Sequence, residues 1–232
     1  MSNDYFKFKK FKVCQDRCAM KVGTDGILLG ALAQGGENIL DVGTGSGVVA
    51  LMMAQRFPKS KITGIDIDAN ACIQAKENVV QSPFVNISIS NISLQDFTVK
   101  NYLFDCIVSN PPFFKDSLKC PDKGRTLARH NDALPCSELF KCVSKLLADE
   151  GIFSVIIPVD SINDFLFESY VSGLYLKRKY GIVTKEGKPI KRYILSFTKQ
   201  INNKIDEVVN CLMDKNNNKS EWFVQITKDF YL

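Results

Sequence analysis

Four short apolar runs set what this 232-residue chain can fold into. They cover Asn38–Val42, Lys61–Asp66, residues 85–90 and residues 103–109. Near-continuous apolar runs of this length are the mark of strands buried on both faces. Each stops at a turn-forming or polar group: Gly43, Asp66, Asn91 and the tetrapeptide Asn110-Pro111-Pro112-Phe113. The stretches between them carry helical patterns, over residues 48–57, stopped at Pro58, and over residues 69–80. A short capped helix over residues 24–33 precedes the first run. A long polar loop over residues 111–134, a helix over 137–147, a strand over 152–158 and a helix over 161–170 follow the fourth. Such alternation predicts an α/β fold, a doubly wound and mostly parallel sheet. Two runs around Lys185-Glu186-Gly187-Lys188-Pro189, residues 174–184 and 190–198, predict an antiparallel hairpin that closes it. Residues 201–213 read as helical and 221–232 as a short tail with Trp222, Phe223 and Phe230. No linker or repeat interrupts residues 1–232, so one domain is expected, with residues 1–36 as a basic, aromatic extension and capping helix packed on the core. Phe6, Phe8 and Phe11 suit the packing of an N-terminal strand.

Composition removes several classes of function. No apolar run is long enough to span a membrane, and the N-terminus has no apolar signal core. The eight cysteines contain no Cys-x-x-Cys pair and the only histidine is His130, which argues against a metal site. Unpaired cysteines of this number suit a reducing, cytoplasmic setting. The formal net charge is +5, and it is segregated. Residues 1–30 carry six Lys/Arg against three Asp/Glu, residues 115–130 five against two, and residues 174–199 eight against one. Clustered basic charge of this kind suits a polyanionic partner, although exposed lysines also serve solubility.

The turn after the first strand narrows the cofactor. Its glycines are Gly43, Gly45 and Gly47, and Val48 stands where a dinucleotide fingerprint has its third glycine. No Gly-Lys-Ser/Thr follows, so it is not a phosphate-binding P-loop. Asp41, two residues earlier, would repel a phosphate but could pair with an ammonium. S-adenosylmethionine offers an ammonium and a sulfonium and has no phosphate, and glycines let a backbone approach it closely. Asp66 closes the second strand, where a carboxylate can accept from both ribose hydroxyls; Ile67 follows it. Ligands of doubly wound sheets sit beyond the carboxyl ends of strands. The glycine loop, Asp66 with Ile67, the segment from Asn91-Ile92 and Asn110–Phe113 therefore converge on one edge. Two prolines end the fourth strand there. They leave an Asn amide, a Pro carbonyl and a Phe ring together, a set able to clamp a planar exocyclic amine.

These motifs resemble the class I S-adenosylmethionine-dependent methyltransferases that act on amines. Phe6-Lys7-Phe8-Lys9-Lys10-Phe11, the stretch Gln15 to Gly26 with Met20-Lys21-Val22-Gly23-Thr24-Asp25-Gly26, Ala128-Arg129-His130 and the final Thr227 to Leu232 are similar to the bacterial family that methylates N6 of adenine 37 in a valine tRNA. The resemblance spans essentially the whole chain. It implies a seven-stranded sheet with an antiparallel last strand, and it places Lys21, Thr24 and Asp25 along the methionine end of the cofactor. It also implies an acid facing the cofactor's adenine, where this chain has Asn91-Ile92. The partner it implies is the anticodon loop of a tRNA, whose bases can be splayed out and stacked on aromatics. Asn110 and Pro111 would hold the adenine amine and Phe113 its ring, with Pro112 fixing the loop. Phosphate contacts are expected from Lys7, Lys9, Lys10 and Lys12, from Arg125 and Arg129 with His130, and from Lys177, Arg178, Lys179 and Arg192. Three readings stay open beside it: a guanine-N2 enzyme of ribosomal RNA, a glutamine methyltransferase and a non-catalytic RNA-binding module. The residue after the tetrapeptide is Phe114, where the guanine enzymes commonly have His.

Overall fold

The computed structural model of the chain describes residues 4–18, 20–99, 102–112, 134–201 and 204–232. Phe113, Arg125, Arg129 and His130 lie outside them. Strands β1 (Tyr5–Lys7) and β2 (Lys12–Cys14) form an N-terminal hairpin. Helix α1 (Thr24–Leu32) follows. Then come β3 (Asn38–Val42), α2 (Val48–Arg56), β4 (Lys61–Asp66), α3 (Ala69–Val80), β5 (Ile87–Asn91), α4 (Leu94–Thr98) and β6 (Phe104–Ser109). The second half holds α5 (Cys136–Leu146), β7 (Leu147–Pro158), α6 (Ile162–Val171), β8 (Tyr175–Lys185), β9 (Ile190–Thr198), β10 (Asp206–Met213) and α7 (Glu221–Thr227).

Eight strands make the main sheet, in the order β10-β8-β9-β7-β6-β3-β4-β5. The strands from β3 to β7 are mutually parallel, β9 runs antiparallel to β7 and β8, and β10 is parallel to β8. Two expectations are corrected here. The sheet has eight strands rather than seven, because residues 206–213 form an edge strand rather than part of a helix. Without β10, the long strand β8 would be an open edge of unpaired backbone groups. Pairing with it, reinforced across the strands by Arg178–Asp206 at 3.4 Å and Lys179–Glu207 at 3.0 Å, overrides the helical pattern of residues 201–213. The C-terminal tail likewise contains a helix, α7, capped by Ser220 Oγ accepting from Phe223 N at 3.1 Å.

Alternate residues along each central strand feed two separate cores. Leu40, Ile107, Val155 and Ile157 face α4, α5 and α6, where Phe140 meets Phe153, Phe165 and Phe197 at ring separations of 5.6, 5.6 and 5.2 Å. Ile39, Cys106, Val108 and Ile156 face α1, α2 and α7. A third cluster joins Phe8, Phe11 and Val13 of the N-terminal hairpin to Ile27, Leu51, Met52 and Phe230. The N-terminal phenylalanines thus pack into a core: Phe8 and Phe11 are buried and Phe6 packs against the same cluster. Arg56 ends α2 by donating from one nitrogen to the carbonyls of Gly30 and Ala33, which places a cation at the C-terminus of α1. Among the described residues, no helix is long and apolar enough to cross a membrane.

Candidate active site

Strand register brings the expected site together. Val42 pairs with Ile65 on one side and with Ser109 on the other, Asp66 pairs with Asn91, and Ser109 pairs with Val155. The carboxyl ends of β3, β4, β5 and β6 therefore lie level along one edge, and β7 continues three residues past it. Gly43, Asp66, Asn91 and Asn110 stand there side by side.

The glycine loop is a built feature. Gly43, Gly45 and Gly47 have φ of 70°, 54° and 80°, a region that side chains with a Cβ rarely adopt. Gly43 N and Thr44 N both donate to Ile65 O, at 2.9 and 3.0 Å, which pins the loop to β4. A Cβ on Gly43 would meet nothing within 4 Å, so the space above this backbone is open. Beneath it, Asp41 is 1% exposed, and its Oδ2 accepts from Thr44 Oγ1 at 2.7 Å and Ala50 N at 3.1 Å. Burial pushes the Asp41 carboxyl up to about 7, against the pull of these two hydrogen bonds. Asp41 thus holds the loop from below; its burial does not favour direct pairing with a ligand's ammonium.

Asp66 faces the loop from the next strand. Its Oδ2 accepts from Gly45 N at 2.8 Å and its Oδ1 from Asp68 N at 3.0 Å. It is half-buried, and each oxygen keeps a second lone pair for a ligand. Asn91 spends both protons of its amide on the carbonyls of Asp66 and Ile67, each at 2.9 Å. What it can offer a ligand is its Oδ1, an acceptor, as the acid at that position would be. Ile67 is 57% exposed beside it, an apolar face suited to an adenine ring. An open loop with glycine at every second position, faced by the half-buried Asp66 carboxylate, fits a cationic ligand without phosphates. This is the chemistry of S-adenosylmethionine.

Asn110 differs from these neighbours. It is half-buried, Pro111 is buried and Pro112 is exposed. Ser109 Oγ donates to Val42 O at 3.0 Å and ties the end of β6 to β3. The Asn110 amide itself makes no hydrogen bond among the described residues.

A second layer, which the sequence reading missed, holds the N-terminal segment over this edge. Asn78 on α3 is fully buried; its Oδ1 accepts from Cys14 N at 2.8 Å, and its Nδ2 donates to Cys14 O at 2.8 Å and Ser46 O at 2.9 Å. One side chain therefore joins β2 to the glycine loop. One turn earlier, Gln74 Oε1 accepts from Arg17 N, and Arg17 pairs with Glu77 at 2.9 Å. Gln15 Oε1 accepts from Val22 N at 2.7 Å and closes the loop between them. Burial, then the charges of Asp68 and Asp66, push the Cys18 thiol up to about 11, which marks this loop as lying beside Asp66. The signal available in the sequence was the pair Gln74 and Asn78, polar and four residues apart on the buried face of a helix.

The structure separates the remaining expected residues. Lys21 and Thr24 are exposed at the end of this loop, while Asp25 Oδ2 accepts from Arg192 Nε at 2.8 Å. Arg192 pairs in register with Pro158, three residues past the Val155 that pairs with Ser109, so it stands beyond the edge that holds Asn110. Lys177, Arg178 and Lys179 lie three strands away on β8, where Lys179 is level with Ser109 through Leu195 and Val155, and Arg178 and Lys179 are paired with Asp206 and Glu207. Lys7, Lys9, Lys10 and Lys12 are exposed on the N-terminal hairpin, with Lys9 Nζ donating to Lys228 O at 2.6 Å. Among the described residues there is no cluster of three or more His, Cys, Asp or Glu placed to hold a metal ion.

Residues 19–131 match the family model described as "Methyltransferase small domain". A protein of Phocaeicola vulgatus named tRNA1(Val) (adenine(37)-N6)-methyltransferase is 46% identical, with 100% of this chain and 99% of that protein aligned. The chain belongs to the tRNA1(Val) (adenine(37)-N6)-methyltransferase family. A member of this family from Pseudoalteromonas translucida is 41% identical, with 98% of each chain aligned. A solved structure from Agrobacterium tumefaciens, titled a predicted O-methyltransferase, superimposes with a TM-score of 0.66 over 89% of this chain and 96% of that one. At 15% identity that likeness shows the shared class I methyltransferase fold and nothing finer. Family membership covers both regions described above, the glycine-loop edge and the N-terminal segment fastened over it.

Proposed function

We propose that this chain methylates N6 of an adenine in tRNA, at position 37 in the anticodon loop of a valine tRNA, using S-adenosylmethionine. The observation that carries the reading is the pairing of Val42 with Ser109, which sets an open glycine loop next to an Asn amide that has no hydrogen-bond partner among the described residues. S-adenosylmethionine supplies an electrophilic methyl group when bound. Gly43 to Gly47 and Asp66 would hold it, with Ile67 and the Asn91 Oδ1 on the adenine side and the segment from Lys21 to Asp25 along the methionine end.

The residues of the chain do the rest by placement. An adenine amine is a weak nucleophile because its lone pair is delocalised into the ring. Acceptance of its two N–H groups by Asn110 Oδ1 and the Pro111 carbonyl favours a pyramidal nitrogen and frees that lone pair. Phe113 stacks on the flipped base and fixes its approach, the kind of alignment that contributes several kcal/mol to a rate. The proton becomes acidic only once the nitrogen carries a methyl group, so no strong base is required and water suffices to take it. Residues 1–36 act as one unit with the catalytic core, and the cytoplasm, where tRNA is modified, is the proposed setting.

The test is incubation with bulk tRNA from a strain lacking the enzyme, followed by nucleoside mass spectrometry. New N6-methyladenosine at position 37 of a valine tRNA is the expected product. Methylation of guanine, of protein or of another adenine would overturn the assignment.

A further inference from the structure

Asp25 and Arg192 are 167 positions apart, yet Arg192 Nε donates to Asp25 Oδ2 at 2.8 Å. Each partner stands where a contact has consequences. Asp25 lies in the first turn of α1, whose N-cap, Gly23, has no side chain to hold it. A Cβ on the next residue, Gly26, would lie 3.4 Å from Val48 Cγ1 and 3.8 Å from Val49 Cγ2. Val48 follows Gly47 directly and opens α2. The first turn of α1 therefore packs on the first turn of α2, at the point where the glycine loop ends.

Arg192 comes from a different part of the fold. Leu195 on β9 is level with Ser109 through Val155, so Arg192 stands three residues past that edge, roughly 10 Å. Arg192 pairs with Ile182 and lies two residues from Ile194, so it shares their face, the one that α1, α2 and α7 cover. Its Nη1 donates to Lys191 O at 3.0 Å, which holds the guanidinium in one orientation. Arg192 thus joins the hairpin, where it projects past the edge, to the helix that abuts the glycine loop. The pair contributes little to folding. The Asp25 side chain is 28% exposed and that of Arg192 37%, and water screens such a pair. What it fixes is the position of the α1 N-terminus, because a guanidinium bonded through Nε sets direction as well as distance.

We infer that Arg192 is a positioning residue for the cofactor site: through Asp25 it holds the N-terminus of α1 against the glycine loop and balances the carboxylate there. S-adenosylmethionine carries a carboxylate of its own, which a bare Asp25 beside the loop would repel. In this role Arg192 touches no reacting atom and no RNA phosphate. The inference rests on S-adenosylmethionine binding at the glycine loop. The experiment compares wild-type protein with Arg192→Gln, Arg192→Lys, Asp25→Ala and the double variant Asp25→Ala/Arg192→Gln. Calorimetry reads cofactor affinity, steady-state kinetics reads kcat and the cofactor KM, urea unfolding reads stability, and tRNA binding is followed against salt. Arg192→Gln should weaken cofactor affinity and raise its KM about ten-fold, a size usual for residues in contact. Its kcat at saturating cofactor, its urea midpoint and its salt dependence should match wild type. Arg192→Lys, which keeps a cation within reach of Asp25, should recover most of the affinity. The double variant should lose no more than the worse single one. A double variant that loses the product of the two single effects overturns the inference, as does a kcat that falls in step with the urea midpoint. A salt slope shallower by about one, with cofactor affinity intact, overturns it too and returns Arg192 to the RNA phosphates. All three leave the functional reading standing. Wild-type protein that binds no S-adenosylmethionine overturns both.

Discussion

Asp66 and Asn110 end neighbouring parts of one sheet edge, yet the protein equips them in opposite ways. Each oxygen of Asp66 already accepts a backbone N–H, and Asn91 clamps the carbonyls around it. The Asn110 amide has no partner among the described residues, although Pro111 beside it is buried. A group that binds a ligand tightly gains from being fixed in advance, because little freedom is lost on binding. A group that must act on an incoming base needs its hydrogen-bonding capacity left open until the base arrives. The contrast separates a binding half from a reacting half along one row of strand ends.

The largest expected effect breaks the contrast at its open end. Asn110→Ala should lower kcat by about 100- to 1,000-fold, the scale of losing one transition-state hydrogen-bonding group. Cofactor affinity, measured by calorimetry, should stay within about two-fold. Equal losses in rate and affinity would show that the two halves are not separate. Asp66→Ala should weaken cofactor binding by about 10- to 100-fold, the equivalent of a hydrogen-bonded charge. Unchanged affinity would reject Asp66 as the ribose ligand.

A smaller effect sharpens the contrast from behind. Asn78→Ala leaves the backbone groups of Cys14 and Ser46 without their partner, which should cost about 3 kcal/mol in urea unfolding. The same variant should loosen cofactor binding by a few-fold, because the segment over the site is released. Wild-type stability would rule out the clamp. The smallest effect concerns Asp41. Its folded pKa, about 7, lies above its unfolded value of 3.8, so the ionised form is disfavoured in the fold. Stability should therefore fall as pH rises through this window and level off above it. Relative to Asp41→Asn, wild-type protein should lose about 1 kcal/mol between pH 6 and 8. A gap between the two proteins that stays constant over this range would contradict it.

Much of this was legible in the chain. The strands Asn38–Val42, Lys61–Asp66 and Ile190–Thr198 and the helix Ala69–Val80 fall where pattern and punctuation put them. Buried parallel strands and proline or glycine stops are strong local signals, and the order of strands then forces Asp66 and Asn110 onto one edge. What escaped was long-range. Residues 206–213 are a strand because β8 offers an edge, a fact that their own sequence does not contain. Asp25 and Arg192 read as a cofactor residue and a phosphate contact, yet they bond to each other across 167 positions.

The cluster that joins Phe8 and Phe11 to Phe230 has a consequence for how the protein is made. Lys9 N donates to Phe230 O at 2.8 Å, so the packing of the N-terminal hairpin is completed only after residue 230 has been synthesised. The sheet around the glycine loop can assemble earlier on a growing chain. The segment around Gln15 and Arg17, fastened to Gln74 and Asn78 of α3, can cover that loop in the same phase, so the last step on a growing chain is the closure of Phe230 over Phe8 and Phe11.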